Sequence, residues 1–126
     1  MENGDVMKPN VVKDKSFTFA IRVVKLAQHL QEQKKEFVLS RQVLRSGTAI
    51  GALIREAEHA QSKADFVSKM SIALKEANET DYWLDLLHQT GYITADSYDS
   101  IQPDAQELIR LLVSIVKTSK GTSDRR

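Results

Sequence analysis

The sequence predicts a single all-α domain that folds as an antiparallel up-down-up-down four-helix bundle. Its 126 residues are 41% hydrophobic, which is enough for one packed core. Apolar residues recur with a period near 3.6 rather than 2, as in amphipathic helices. Only two prolines and five glycines interrupt this pattern. The connections between the four apolar segments are short, so successive helices are expected to run antiparallel.

The first helix is predicted from about Lys13 to Lys35, with a broad apolar face. We expect the polar segment 1–12 that precedes it to be flexible, because it has no apolar pattern to bury. One apolar stripe of the helix holds Phe17, Ile21 and Val24, and the stripe beside it holds Phe19, Val23, Leu26 and Leu30.

The second helix is predicted to begin at Ser40, a residue type that caps helix N-termini. It contains two glycines four residues apart, although a glycine inside a helix costs roughly 1 kcal/mol relative to alanine. We therefore expect Gly47 and Gly51 to let a neighbouring helix approach closely. A hairpin that turns near Gln61 would place them near Lys75 and Ser71 of the third helix. The bundle-facing stripe is Val43, Gly47, Ile50, Ile54 and Ala57.

The third helix is the longest predicted element. Ser62 with Asp65 three residues later is a variant of the capping box that opens helices. Gly91 is expected to end the helix as a C-terminal glycine cap. The stripe between these signals holds Phe66, Met70, Ala73, Ala77, Thr80, Leu84 and Leu87.

The fourth helix contains Pro103, which is predicted to mark either its start or a kink. The bundle domain is accordingly predicted to span residues 13–118, and the tail 119–126 is expected to be flexible. The core stripe is Ala105, Leu108, Leu112 and Ile115, with Ile109, Val113 and Val116 adjacent.

Charge and cysteine content exclude several classes of protein. Lys and Arg total 18 against 17 Asp and Glu, so the net charge of +1 argues against a strongly basic nucleic-acid binder. The absence of cysteine excludes disulfides and thiolate metal sites and suits a reducing cytosol. No apolar run approaches the length of a signal peptide or membrane span. We expect a cytoplasmic protein with no membrane partner.

Basic residues are concentrated in the first helix, where Lys15, Arg22 and Lys25 fall at steps of seven and three and hence on one face. In a monomer this face is an ordinary solvated stripe. In a symmetric ring the patch is repeated and can bind a polyanion such as RNA or DNA. The aromatic residues Tyr82 and Trp83 are adjacent in sequence, so the chain shows no interleaved platform for stacking single-stranded bases.

Several charged residues are predicted to form structural ion pairs across the second and third helices. Arg45 is expected near Glu76 and Glu79, beside the glycines, and such polar contacts can set helix register. Arg55 and Asp65 are a second candidate pair, expected to be exposed and to contribute under about 1 kcal/mol.

Trp83 is predicted to be a packing residue, either in the core or at a contact between subunits. Aromatic residues at helical spacing usually pack, and they are enriched at protein interfaces.

The best enzymatic alternative is a carboxylate-bridged metal site, because Glu56 and His59 have the Glu-x-x-His spacing that such bundles use. Asp85 and His88 have a similar spacing. Along a helical hairpin, however, the two histidines would lie roughly 40 Å apart and cannot share a metal. We therefore expect no enzymatic activity, catalytic residue, cofactor or metal site.

The segments RSG at 45–47, REA at 55–57, SKADF at 62–66, KEANET at 75–80 and YWL at 82–84 closely resemble those of the bacterial "four helix bundle protein" family. That family includes proteins encoded in 23S rRNA intervening sequences and is related to the accessory variability proteins of diversity-generating retroelements. One departure is Leu53, where many members have asparagine in an IGANI-like segment.

This resemblance implies a homo-oligomer, with a cyclic homopentamer around a central channel favoured, and no enzymatic activity. In the retroelement relatives, the basic barrel contacts nucleic acid and a reverse transcriptase. We therefore expect a non-catalytic scaffold or binding protein that binds RNA or DNA through the basic face of the first helix. The alternatives are a scaffold that binds only a partner protein and a metal-dependent bundle enzyme.

Overall fold

Four consecutive α-helices form a bundle in the computed structural model, which describes the backbone of residues 9–124 and the side chains of residues 10–121. Each helix packs on the next along the chain, and α1 packs much less closely on α4. The predicted all-α four-helix architecture is therefore confirmed. No helix in this part of the chain combines the length and apolar content needed to cross a membrane. The helices are α1 (Pro9–Glu32), α2 (Leu39–Ala57), α3 (Lys63–Gln89) and α4 (Ala95–Asp124).

The hydrophobic core is built from the stripes that periodicity predicts. The α2 stripe is buried throughout, and the α3 stripe is buried except for the half-buried Phe66. Leu53 packs against the same core as a half-buried residue. From α4, the core receives Ala105, Leu108, Leu112, Ile115 and Val116, whereas Ile109 is half-buried and Val113 is exposed.

The two apolar stripes of α1 have different environments. Phe19, Val23 and Leu30 are fully buried in the core. Phe17, Ile21 and Val24, which we call the outer α1 stripe, remain 51%, 43% and 37% exposed. The difference arises because α1 has only α2 and α4 as close neighbours, so its opposite face has no helix to pack against.

Gly47 and Gly51 face α1, which corrects the prediction that they lie near Lys75 and Ser71 of α3. A Cβ atom on Gly47 would stand 2.7 Å from Val23 Cγ1, and one on Gly51 would stand 3.3 Å from Ser16 Oγ. The two glycines therefore let the backbones of α1 and α2 approach closely.

The α2 face that meets α3 presents a serine instead of the glycines. Thr80 Oγ1 donates to Ser46 Oγ at 2.8 Å, and both residues are fully buried. Ser46, and not the neighbouring Gly47, is therefore the residue of α2 that contacts α3 here.

The N-terminus of α2 is capped by Glu36, which corrects the prediction that Ser40 caps it. The Glu36 carboxylate accepts hydrogen bonds from the backbone N–H groups of Val38, Leu39 and Ser40 at 3.1, 2.9 and 2.7 Å. Ser40 lies inside the first turn, where its hydroxyl donates to the Glu36 carbonyl at 2.9 Å. Lys35, at φ 54°, turns the chain so that Glu36 reaches this position.

The ends of α3 follow the predicted signals. Ser62 Oγ accepts from the Asp65 N–H at 3.0 Å, as an N-cap should. After the helix, Gly91 adopts φ 84° and donates to the His88 carbonyl, while Tyr92 donates to the Leu87 carbonyl at 2.9 Å. This pair of bonds is the Schellman arrangement that glycine favours.

Both terminal helices extend beyond the predicted domain limits. α1 begins at Pro9 rather than Lys13, and α4 continues to Asp124, past the predicted limit at residue 118. Pro103 lies inside α4, so the prediction that it starts the helix is wrong; Thr94 Oγ1 caps the helix instead by accepting from the Ser97 N–H at 3.1 Å. Residues 1–8 of the segment predicted to be flexible, and residues 125–126, lie outside the described residues.

Gly47→Ala is expected to lower the free energy of unfolding by about 1–3 kcal/mol, because its Cβ would overlap the Val23 side chain. Adding Val23→Ala should remove this overlap, so the double variant should lose less stability than the sum of the single changes. Urea denaturation followed by circular dichroism measures both. Gly121→Ala is the control, because its Cβ meets nothing within 4 Å. A Gly47→Ala protein as stable as the parent would contradict the close approach.

Glu36→Ala is expected to destabilise the protein by about 2–3 kcal/mol, because three backbone N–H groups lose a charged acceptor in a site that is only 9% exposed. Glu32→Ala removes an exposed carboxylate nearby and is the matched control. Denaturant unfolding of the two variants should separate clearly. Equal stabilities would show that Glu36 does not act as the cap.

Candidate nucleic-acid interface

Two of the three basic residues predicted on α1 are held by carboxylates of α4. Lys15 Nζ lies 3.2 Å from Glu107 Oε2, and Arg22 Nη1 lies 2.7 Å from Asp104 Oδ2. Lys25 forms no ion pair with any described residue. Of the three predicted basic residues, only Lys25 therefore has a charge that no described carboxylate compensates.

Arg22 also holds the proline-containing part of α4. Its guanidinium donates to the Ser100 carbonyl at 3.0 Å and to Ser100 Oγ at 2.7 Å, in addition to Asp104. Pro103, which lies between these two residues, has no backbone N–H to contribute to the helix. Arg22 thus bridges α1 to the residues on either side of Pro103, which is a structural role.

Beyond Arg22, the two helices separate and enclose a groove of about 820 Å³, which we call the α1–α4 groove. One wall comes from α1 and the connection after it, and the other comes from the α3–α4 connection and the first turns of α4. The second wall begins at Gly91, where the chain reverses with φ 84° after α3. The first wall holds Arg22, Lys25, Leu26, His29 and Lys34; the second holds side chains from residues 91–101.

The electrostatics of the α1–α4 groove are those of a cationic site. Lys25, His29 and Lys34 form no hydrogen bond or ion pair through their side chains with the described residues, and all three are exposed. Asp96 is the acidic residue of the lining. The N-terminus of α4 on the opposite wall carries the positive end of the helix dipole, which adds to the preference for a negative ligand.

The predicted cluster around Arg45 is on the outer surface of α2 and α3. Arg45 Nη1 lies 3.4 Å from Glu76 Oε1, and Nη2 forms an ion pair with Glu79. Trp83 Nε1 donates to Glu79 Oε2 at 3.1 Å, and its ring packs edge-on against Tyr82 with centroids 5.0 Å apart. Trp83 is half-buried and packs against the core, and its indole N–H holds the Glu79 carboxylate.

Arg55 and Asp65 do not form the predicted ion pair. Arg55 lies over the Phe17 ring, 4.9 Å from its centroid, because its side of α2 faces α1. Asp65 instead accepts from Lys69 Nζ at 3.0 Å and from the Gln61 N–H at 3.2 Å. These two hydrogen bonds, of which the one from Lys69 is the stronger influence, lower the pKa of the Asp65 carboxyl.

The residues considered for a metal site do not come together. His59 lies exposed in the turn after α2, and His88 lies near the end of α3, where its ring stacks on Tyr98 at 4.5 Å between centroids. Burial raises the pKa of Tyr98, and the carboxylates of Asp85 and two further aspartates raise it further. Among the side chains of residues 10–121, no three His, Asp or Glu are grouped to hold a metal ion.

Most of the groove lining, including His29, Lys34 and Tyr92, was not predicted from the sequence. Tyr92 follows the glycine cap, outside any helical stripe, so the apolar periodicity does not place it beside the basic face. Their meeting depends on how the α3–α4 connection passes the end of α1, which no local spacing indicates.

Comparison with known proteins gives a consistent family assignment. A search of curated proteins found no match. One solved crystal structure, at 1.70 Å resolution, is of a protein with unknown function from the S23 ribosomal protein family from Bacteroides thetaiotaomicron VPI-5482. It is 61% identical to this chain with a TM-score of 0.85, over 86% of this chain and 97% of that one. The family model described as 23S rRNA-intervening sequence protein matches residues 8–114, and the chain therefore belongs to this family.

Proposed function

We propose that this protein is a non-catalytic, homo-oligomeric four-helix bundle that binds RNA or DNA through the α1–α4 groove. The observation that carries the proposal is the two lysines in the groove that have no ion-pair partner among the described residues, Lys25 and Lys34, together with the exposed imidazole of His29. A phosphate backbone is the ligand that such a group attracts most strongly. The net charge of +1 does not oppose this, because the charge is gathered in one groove.

The rest of the basic face contributes in a second way. The Lys15–Glu107 and Arg22–Asp104 pairs are about half-exposed, and exposed ion pairs contribute only about 0–1 kcal/mol. A nucleic-acid phosphate can therefore compete with either carboxylate. This makes Lys15 and Arg22 secondary contacts that extend the groove along α1, rather than the main binding residues.

Homo-oligomerisation is supported by the outer α1 stripe. Phe17, Ile21 and Val24 present a continuous apolar face on an otherwise charged surface, and such faces commonly mark protein contacts. A cyclic assembly, with the homopentamer favoured by the family resemblance, would repeat the groove around one axis. Several weak phosphate sites on one rigid body bind a long strand with an avidity that none of them has alone.

A scaffold that recruits only a partner protein is the second candidate function. The outer α1 stripe favours it too, since the same face can dock another protein, with surface charge serving solubility. The two candidates differ in their response to salt. Binding through the groove weakens steeply as salt rises, whereas an apolar contact does not.

Lys25→Gln together with Lys34→Gln is expected to weaken RNA binding about equally for all sequences. The slope of log affinity against log salt should fall by about one for each lysine that no longer neutralises a phosphate. Fluorescence anisotropy with a labelled RNA across a salt series measures the slope. The matched control is Lys75→Gln with Lys117→Gln, two lysines outside the groove. Absence of binding at low salt, or equal effects of the two double variants, would refute binding through the groove.

Ile21→Glu is expected to dissociate the oligomer, because it places a charge in the middle of the outer α1 stripe. Multi-angle light scattering would measure the mass, and circular dichroism should show an unchanged helical content, since Ile21 lies outside the core. Ser68→Glu adds the same charge to an exposed position on α3 and should leave the mass unaltered. A parent protein of 14.2 kDa in solution would disprove the ring.

A further inference from the structure

We infer that the α1–α4 groove takes an unpaired nucleotide of a single strand rather than a duplex. In this arrangement the base packs against Tyr92 on the apolar floor, and the flanking phosphates contact Lys25, His29 and Lys34. The inference rests on the proposed function and specifies the form of nucleic acid that the same groove binds.

The first argument is the composition of the groove floor. Besides its cationic wall, the groove is lined by Leu26, Tyr92, Ile93 and Ile101. Ile93 and Ile101 are only 6% and 5% exposed, and Tyr92 and Leu26 are half-buried against the core, so this apolar surface is anchored rather than mobile. A duplex hides the faces of its bases and offers phosphates and groove edges. An apolar floor beside cations therefore suits a base that is out of its stack.

The second argument is the position of Tyr92. Its backbone N–H donates to the Leu87 carbonyl just after Gly91 at φ 84°, so the end of α3 fixes the residue where it lines the groove and packs on the core. Base stacking on an aromatic ring is tolerant of sequence, because every base has a π-face. One such ring per protomer predicts one unstacked base in each groove.

The third argument is the size and polarity of the space. A volume of about 820 Å³ falls in the range of pockets that enclose small organic ligands, which is the scale of a nucleotide rather than of a duplex. The α4 wall adds the hydroxyls of Thr94, Ser97 and Ser100. Thr94 and Ser97 are hydrogen-bonded to each other at 3.1 Å, so they present fixed polar groups to a sugar or a base edge.

The test compares Tyr92→Leu with the parent protein in anisotropy measurements. The probes are a labelled oligouridine of about 16 nucleotides and an RNA duplex of the same length, both at low salt. Tyr92→Leu should weaken oligouridine binding about tenfold and leave duplex binding unchanged. Tyr92→Phe keeps the ring and should restore parental affinity. Tyr82→Leu makes the same change at a tyrosine that is 59% exposed outside the groove, and it should have no effect.

The outcomes separate the two proposals. Equal binding of oligouridine and duplex, with Tyr92→Leu affecting neither or both alike, would overturn the inference and leave the groove as a general phosphate site. Failure of the parent protein to bind either probe would overturn the proposed function and the inference together. Circular dichroism should show that Tyr92→Leu keeps the parental helical content and melting temperature. A loss of affinity then reports on the groove and not on unfolding.

Discussion

The close approach of α1 to α2 at Gly47 determines how the remaining faces of α1 are used. Because Gly47 has no side chain, the Val23 side chain packs directly on the Gly47 backbone, and Val23 is fully buried in the core. The outer α1 stripe must then point away from the bundle, and Arg22 and Lys15 must point towards α4. A side chain at Gly47 would therefore disturb more than local packing, since the orientation of both the apolar and the basic faces follows from this contact.

The helix pairs of the bundle are joined by different kinds of interaction. The Val23 side chain of α1 packs on the Gly47 backbone of α2, and α2 and α3 share a buried hydrogen bond from Thr80 to Ser46 with the Arg45 cluster outside it. Between α1 and α4 the bridging contacts are ion pairs and the Arg22 hydrogen bonds, and the space beyond them is the groove. The space next to these bridges is the α1–α4 groove, and the proposed ligand site therefore lies where α1 and α4 are in least contact.

The periodicity of the apolar residues was sufficient to predict four helices and most of the core, because burial of one face is a local property of a helix. The end signals of α3 were also readable, since Ser62 and Gly91 act within a few residues of their own positions. Glu36 was not, because a carboxylate caps α2 only after Lys35 has turned the chain. The capping of α4 by Thr94 was not predicted, because proline is favoured in the first turn of a helix and Pro103 therefore suggested a later start.

The sequence pattern does not indicate which helix packs against a given small residue. A stripe locates the buried side of α2 but not the angles at which α1 and α3 meet it, so Gly47 was assigned to the wrong neighbour. The same ambiguity misplaced the Arg55 side chain, which faces Phe17 rather than Asp65. The groove joins α1 to residues more than sixty positions later, and only the three-dimensional path of the chain brings Lys25 and Tyr92 together.

Because ion pairs join α1 to α4, the strength of this helix contact depends on the salt concentration. Half-exposed ion pairs are screened within a Debye length of about 8 Å at physiological ionic strength, and the exposed Arg45 pairs between α2 and α3 are weakened in the same way. Between α2 and α3 the buried Thr80–Ser46 hydrogen bond remains when the Arg45 pairs are screened, so concentrated salt is expected to loosen the contact of α1 with α4 more than that of α2 with α3. Such loosening would speed amide hydrogen exchange in the first half of α4.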